Sequence, residues 1–406
     1  MKVNLKRYIV EPFHALQNKD FAKLYMAQTI SLLGDTVSWV GLALLAYQID
    51  GTRSPAILSV ALTLRVLAFI IFSPFAGVLA DKINRKKILY VTHFIRMGII
   101  SCLPFINVEW QICILVFLLN VFNAFFTPTY QAVIPQIVDK ANYRQAIGLS
   151  NATFQLLGIL GPGLAGILAV WLGVREIFFV DSITFVIAAF LILSVPKAAF
   201  LNPNEAPIKS NDGAWSEMKK GVRLLFSNKL LRFALSIEFV SAIAGAMILV
   251  NTINHVKNVL HLTDKYYGWL MAAFGIGAAL AAFISGNVDK SKSRNASLIG
   301  GALLIGSAIV FANYVPYGTL LALWIVAGFG QSLSDTPAET LIGENINAEN
   351  QGKVYGSHFA FSHLWWAIAY PITGYFGTAF PENNFLYGGV LTLVCCGIAM
   401  LVFKRK

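Results

Sequence analysis

Four carboxyl groups and two arginines lie well inside long apolar stretches of this sequence of 406 residues. A charge surrounded by hydrocarbon costs on the order of 3 kcal/mol, so each one needs a partner of opposite charge or a water-filled cavity. A carboxyl group that alternates between such surroundings can bind and release a proton, and can thereby couple a proton to the movement of another molecule. The six residues are Asp35, Arg65, Arg96, Glu238, Asp335 and Glu339.

Asp35 is the leading candidate for a proton carrier. It shares a polar face with Gln28 and Ser38, at helical spacing and midway along its apolar segment. The alternative is structural, because a fixed ion pair between Asp35 and Arg65 would only hold two helices together. Asp181 lies close to the end of another apolar segment, where we expect a capping or packing role.

A second polar face carries Gln331, Asp335 and Glu339 at spacing i, i+4, i+8. Both of its carboxyl groups are candidates for coupling, with a structural ion pair as the alternative. Glu238 lies only about two turns from the end of its apolar segment, so its side chain could also reach water. The other polar candidates for substrate or proton binding are Arg96, Asn120, Asn123, His358 (which we expect to pair with Ser362 or to pack) and Trp365.

The elements that position these side chains are apolar segments long enough to cross a membrane. Hydrophobic residues make up 57% of the sequence and charged residues only 13%, against about 25% charged in soluble proteins. Backbone inside a bilayer must form its own hydrogen bonds, and these segments do not alternate as strands of a barrel do. We therefore predict an all-α polytopic membrane protein with twelve transmembrane helices. They cover about 21–49, 55–80, 88–106, 111–136, 146–172, 176–196, 230–254, 266–288, 296–314, 318–343, 354–379 and 384–403.

The net charge of +11 reflects membrane topology rather than nucleic-acid binding. With the N-terminus placed inside, the cytoplasmic segments hold 25 Lys and Arg residues and the outer loops hold 4. Cytoplasmic loops are enriched in these residues, so we expect both termini in the cytoplasm and a multi-pass protein of a bacterial inner membrane.

The chain divides at its long polar stretch. We predict a six-helix bundle over 1–196, a cytoplasmic linker with an amphipathic helix over 197–229, and a second six-helix bundle over 230–406. The halves look related at an offset of 209 residues, since Thr127-Pro128 corresponds to Thr336-Pro337. Such a repeat favours a transporter whose site lies between the halves.

The loop after the second segment resembles a motif of the major facilitator superfamily. Its residues Gly77, Asp81, Arg85 and Lys86 match that motif, with Asn84 where glycine is usual. The resemblance covers nearly the whole chain and implies twelve helices in two six-helix repeats. It also implies gating, because Asp81 can accept from a helix N-terminus and Arg85 can bridge to an acid or a carbonyl.

A pattern in the fifth segment resembles that of the exporters of this superfamily. Glycine and proline there permit close helix approach and a kink, although Leu157 and Ala165 depart from the pattern. Other stretches, such as 31–35 and 179–185, are similar to the efflux branch that contains macrolide-efflux proteins and the enterobactin exporter. In the fifth segment, the residues that match the exporter pattern are Gly148, Gly161, Pro162 and Gly166, and we expect them to act in gating.

The function that these residues favour is secondary export of an amphipathic organic molecule, siderophore or drug-like, driven by proton entry. A lysophospholipid flippase, or an importer of a small organic acid or siderophore, is the alternative. A sensor without flux also remains open. The sequence contains no Walker loop, nucleophile elbow or HExxH, so we expect neither an enzyme nor a cofactor. The expected partners are the substrate and the lipid bilayer, with no nucleic acid, and a monomer suffices.

Overall fold

A computed structural model of the protein describes residues 11–139, 142–200, 214–285 and 294–404. The described residues fold into α-helices joined by short loops, and they contain no strand. The first six helices form the N-half and the last six the C-half, with α7 between them. The helices are α1 (Lys19–Ile49), α2 (Ser54–Lys82), α3 (Arg85–Ile100), α4 (Glu109–Ile137), α5 (Tyr143–Leu172), α6 (Ile177–Leu193), α7 (Ala214–Ser227), α8 (Lys229–Asn254), α9 (Asp264–Ser285), α10 (Arg294–Val310), α11 (Tyr317–Asn345), α12 (Ala348–Ala379) and α13 (Asn384–Lys404).

The prediction of an all-α membrane fold is confirmed. Every predicted span overlaps a helix of the N-half or the C-half, and α7 covers the predicted amphipathic segment. Seven stretches are long and apolar enough to cross a membrane by composition alone, and α6 is a shorter apolar helix. The seven are Lys19–Ile49, Ser54–Ser73, Arg85–Phe105, Glu109–Ile137, Lys229–Val259, Asn295–Tyr314 and Asn384–Phe403.

Asparagine side chains start three of the helices. Asn18 accepts from the backbone N–H groups of the first turn of α1, Asn84 does the same for α3 and Asn228 for α8. These bonds satisfy backbone donors that have no partner within the helix. At Asn84, where the superfamily motif usually has glycine, the backbone is not left-handed (φ −54°) and the side chain serves as the cap instead.

Glycine allows a close helix crossing in the C-half, between α9 and α11. A methyl group at Gly277 would overlap the carbonyl oxygen of Ile325, and one at Gly328 would overlap that of Phe274. The two backbones therefore touch at two reciprocal points. Helices α9 and α11 form a closely packed pair.

Because successive helices run in opposite directions, the bundle has two distinct ends. We call the end where α1 begins and α13 finishes the termini end, and the end that carries the loops 50–53 and 255–263 the far end. The halves meet where α2 packs on α12 and where α5 packs on α9.

At the far end the two halves are in direct contact. Gly374 of α12 lies against Ser59 of α2, with no room for a larger residue. The Tyr47 hydroxyl donates to Asn258 Oδ1 at 2.5 Å, and Asn258 Nδ2 donates to the Gly51 carbonyl at 3.1 Å. Asn258 lies on a short π-helix, His255–Val259, that continues α8. This set of contacts, the far-end closure, joins the N-half to the C-half.

Candidate functional site

Asp35 forms a buried ion pair with Arg96. Arg96 Nη2 lies 2.7 Å from both carboxylate oxygens of Asp35, and the side chains of Arg96 and Asp35 are 1% and 18% exposed. Asp35 lies near the middle of α1, about 24 Å along the helix axis from Lys19. An ion pair of Asp35, which was the structural alternative to a coupling role, is therefore present, but its partner is Arg96 of α3 rather than Arg65 of α2.

Asp181 belongs to the same buried site. Its carboxylate accepts hydrogen bonds from the Ser38 and Thr184 hydroxyls, and it is fully buried. A methyl group at Gly34 would overlap this carboxylate and Thr184, so the glycine makes room for the acid beside α1. Asp35, Arg96 and Asp181 thus form one group, which we call the N-half cluster. It holds two acids and one arginine.

Apolar rings surround the N-half cluster. The Arg96 guanidinium lies 4.1 Å from the Phe185 ring centre and 5.9 Å from that of Phe126. His93, one turn before Arg96, is fully buried with its ring centre 4.5 Å from that of Phe126. Both ring nitrogens of His93 lack a hydrogen-bond partner. Sequence reasoning missed His93 and underrated Asp181, although both are polar residues inside apolar segments.

Arg65 lies apart from the N-half cluster, at the interface of the halves. Its guanidinium is 3.9 Å from the ring centre of Trp39, and no carboxylate of the described residues lies within 4.0 Å of it. Arg65 is within electrostatic range of Tyr370 and His363 of α12. The side chain is half-buried.

In the C-half, Gln331, Asp335 and Ser241 bond to one another. Gln331 Nε2 donates to Ser241 Oγ and to Asp335 Oδ2, both at 2.7 Å, and Ser241 Oγ donates to Asp335 Oδ1 at 2.9 Å. Asp335 is exposed although it lies about 15 Å from the termini end of α11. The side chain of Glu339, the third member of the predicted face, lies outside those that the structure describes.

Glu238 pairs with His358 across α8 and α12. Oε1 of Glu238 lies 2.8 Å from Nε2 of His358, and both residues are buried, at 7% and 8% exposure. Glu238 therefore does not reach water, contrary to one of the expectations for it. The expected pairing of His358 with Ser362 stays a prediction, and Glu238 contacts Nε2 of the histidine ring.

Four further predicted residues are buried or half-buried on helices of their own half. Trp365 packs on Phe239, with ring centres 5.0 Å apart, and its indole nitrogen has no hydrogen-bond partner. Asn120 is buried and donates to the Val116 carbonyl of its own helix at 2.8 Å. Asn123, the third, is half-buried on α4. Gln28 on α1 is half-buried, and its Oε1 is buried without a partner.

The basic residues of the loop motif bind carbonyl groups at the termini end. Arg85 donates to the Ala132 carbonyl of α4 at 3.1 Å. Lys86 Nζ donates to the carbonyls of Leu193 and Val195, at 2.8 and 2.6 Å, where α6 ends. A gating role for these contacts stays a prediction. The remaining predicted gating positions have side chains outside those that the structure describes: Gly77, Asp81, Gly148, Gly161, Pro162 and Gly166.

Comparison with known proteins places this geometry in a family. The family model of the Major Facilitator Superfamily matches residues 24–263 and 234–406. The MFS-type transporter YfiS of Bacillus subtilis (strain 168) is 27% identical over 84% of this chain and 82% of its own. Macrolide efflux protein A of Streptococcus pyogenes is 23% identical over 93% of this chain and 94% of its own. The resemblance to macrolide-efflux proteins is confirmed.

Solved transporter structures share the fold. A bacterial homologue of the human lysosomal transporter Spinster, in an inward-facing and unoccupied conformation, has a TM-score of 0.73 at 16% identity and covers 95% of each chain. The nucleoside transporter NupG has a TM-score of 0.73 at 13% identity over 95% of this chain and 100% of its own. At these identities the likeness shows the fold alone. Because the family model matches residues 24–263 and 234–406, the chain belongs to the major facilitator superfamily and is a transporter rather than an enzyme.

Proposed function

We propose that this transporter exports an amphipathic organic small molecule, siderophore or drug-like, in exchange for protons. The observation that carries the proposal is the N-half cluster, where Asp35, Asp181 and Arg96 share one buried site. The cluster has two acids for one arginine, and this excess of negative charge favours proton binding to the cluster. In the proposed cycle the proton binds to Asp35. No catalytic residue or cofactor is part of the scheme, and the proton gradient is the energy source.

The exchange follows from competition between a proton and Arg96 for the Asp35 carboxylate. While Asp35 is ionised, the guanidinium holds it at 2.7 Å and fixes α1 against α3. Protonation of Asp35 removes the charge that Arg96 binds, so the two helices can separate and the halves can rock about the site between them. Deprotonation on the opposite side restores the pair. A monomer suffices for this cycle.

Charge asymmetry supports the assignment of the termini end to the cytoplasm of a bacterial inner membrane. The far-end closure then lies on the outer side of the membrane, and exposed Asp335 lies on the cytoplasmic side of the bundle. Export is supported by the glycine and proline pattern of α5 and by the likeness to macrolide efflux protein A.

The test compares small molecules inside and outside cells that carry or lack this protein, at high and low iron. We expect an iron-chelating or drug-like metabolite to be retained by the deletion strain and by an Asp35→Asn strain. Glu109→Gln is the matched control, because Glu109 forms an exposed ion pair with Arg53 at 2.7 Å and lies outside the cluster. This control strain should export normally.

Three results would contradict parts of this proposal. Unchanged secretion by the deletion strain would exclude the export of a molecule that the cell itself makes. Retention of lysophospholipid instead of a soluble metabolite would indicate a flippase. Normal export by the Asp35→Asn strain, with the same dependence on the pH gradient as the wild type, would exclude Asp35 as the coupling acid.

A further inference from the structure

Arg65 is a cation near the middle of the molecule, and no carboxylate of the described residues lies within 4.0 Å of it. It lies about 16 Å along α2 from Ser54, on a stretch apolar enough to cross a membrane. Asp35, an acid within its electrostatic range, is held by Arg96 at 2.7 Å. A charge at such a depth needs water or a counter-ion. The protein supplies no counter-ion to Arg65 from its described residues.

An aromatic ring covers one face of the Arg65 guanidinium. The centre of the Trp39 ring lies 3.9 Å from the guanidinium carbon, which is a close cation–π contact. Among the described residues, the guanidinium N–H groups of Arg65 have no hydrogen-bond acceptor beside this contact. A planar fork of N–H donors is the geometry that binds carboxylate, sulfonate or phosphate oxygens in pairs.

More rings lie across the interface of the halves. Phe69, one turn after Arg65, lies 6.3 Å from the His363 ring centre, and His363 lies 3.9 Å from that of Phe359. Trp366 and Tyr370 of the same helix, α12, are 5.5 Å apart. Aromatic side chains of both halves therefore meet where α2 packs on α12, and two of them, His363 and Tyr370, are within electrostatic range of Arg65. Such side chains favour flat, conjugated groups over chains of methylene.

We propose that Arg65 and Trp39 form the substrate's anion subsite, so that the cargo is an organic anion carrying a planar aromatic group. This proposal rests on the proposed function, because it takes the interface of the halves as the transport path. The acidic group pairs with the Arg65 fork and the ring stacks among the aromatic side chains of α1, α2 and α12. The oxyanion can belong to a free aromatic acid or to a lipid headgroup, and the test separates these sources.

The test measures equilibrium binding to the purified full-length protein in lipid nanodiscs, with empty nanodiscs subtracted. Two xanthene dyes of similar ring shape are the probes: carboxyfluorescein, an anion, and rhodamine 6G, a cation. We expect fluorescence anisotropy to show carboxyfluorescein bound more tightly than rhodamine 6G. Arg65→Gln should weaken carboxyfluorescein binding roughly tenfold or more, since a bond to a charged group is lost. Trp39→Phe, which keeps a ring, should weaken it less.

Arg53→Gln is the matched control, because Arg53 is an exposed arginine paired with Glu109 in the far-end loop. It should bind carboxyfluorescein like the wild type. Lysophosphatidylglycerol below its micellar concentration is added as a competitor. Its failure to displace the dye indicates a free aromatic acid as the cargo class, and its displacement of the dye assigns the oxyanion to a lipid headgroup.

Equal affinity of the two dyes for the wild type, or unchanged carboxyfluorescein binding by Arg65→Gln, would overturn the subsite. These measurements use no proton gradient. A protein that binds the anionic dye through Arg65 but exports without Asp35 keeps the subsite and loses only the coupling scheme. If the Asp35→Asn variant stops export while the Arg65→Gln variant binds carboxyfluorescein normally, the coupling scheme is kept and the subsite is lost.

Discussion

At the residue scale, Gly34 makes room for a second acid, Asp181, beside the ion pair of Asp35 and Arg96. Its missing side chain is the space that the Asp181 carboxylate and Thr184 fill beside α1. A larger residue would push α6 away from α1. Asp181, the acid that gives the N-half cluster more carboxyl groups than arginines, would move with α6. The chemistry assigned to Asp35 therefore depends on a neighbour with no side chain.

We expect Gly34→Ala to destabilise the protein by about 1–3 kcal/mol, since the added methyl group overpacks a buried contact. The measurement is the thermal unfolding temperature of the purified protein. Gly98→Ala is the control, because a methyl group at Gly98 meets no atom within 4 Å. Equal unfolding temperatures for the two variants would show that α1 and α6 are not closely packed at this point.

Removal of Arg96 alone should be more harmful than removal of both members of its ion pair. Arg96→Gln leaves the buried acids without their cation, which costs on the order of 3–5 kcal/mol. The double variant Arg96→Gln with Asp35→Asn leaves no unpaired charge on Asp35 and should recover part of the loss. Thermal unfolding of the single and double variants checks this, and additive effects would argue against the pairing.

The sequence was sufficient to select Asp35 but not its partner. An acid inside an apolar segment is visible in a list of residues, and Arg65 and Arg96 are equally visible as its possible partners. Which arginine reaches Asp35 depends on how α2 and α3 are rotated about their axes, and that rotation is set by packing among many apolar residues. Asp181 was underrated for a related reason, because closeness to a segment end says little about which helix lies opposite.

At the element scale, the π-helix His255–Val259 determines how the far end closes. A π-helical turn changes the direction in which side chains leave the helix, and such turns are frequent at functional sites. Here Asn258 is placed where it bonds both Tyr47 and the Gly51 carbonyl of the opposite half. A single side chain of α8's extension thus bonds the end of α1 and the loop that follows it.

We expect Tyr47→Phe to open the far end more often, since it removes the hydroxyl that donates to Asn258. The readout is the labelling rate, from the outside, of a cysteine placed at Ser59 in a background without the native cysteines. Tyr314→Phe is the control, because the Tyr314 hydroxyl donates to Asn383 at 2.7 Å within the C-half. A labelling rate that Tyr47→Phe leaves unchanged would mean that this bond does not hold the closure.

Segment positions were more predictable than their contacts. The predicted spans overlap the helices because length and hydropathy are local properties of the chain. The helix starts at Lys19, Arg85 and Lys229 follow capping asparagines, which are local signals too. The contacts of Glu238 with His358 and of Tyr47 with Asn258 join residues far apart in sequence, so no local pattern could reveal them.

At the scale of the whole molecule, transport requires that the two halves separate at the far end. Ser59 and Gly374 touch there across α2 and α12. A transporter that works by alternating access must break this contact in every cycle. The contact is therefore a place where the cycle can be stopped without touching the cavity.

We expect a reducible cross-link in the far-end closure, formed by a short bis-methanethiosulfonate reagent between cysteines placed at Tyr47 and Asn258, to stop transport. The link should leave carboxyfluorescein binding intact, because Arg65 lies deeper in the molecule than the far-end closure. Addition of a reductant should restore transport, while each single cysteine variant should transport under both conditions. Continued transport by the cross-linked protein would show that the far end does not open.

The reciprocal glycine crossing of α9 and α11 has a consequence for redesign of this transporter. The backbones of the two helices touch at Gly277 and Gly328, so a larger side chain at either position would overlap the opposite helix. We expect such substitutions to cause misfolding. The rings that α12 presents near Arg65 carry no such constraint, because side chains rather than backbones meet there. A laboratory evolution experiment that seeks new cargo should therefore concentrate its library on Phe359, His363 and Tyr370, and keep both glycines fixed.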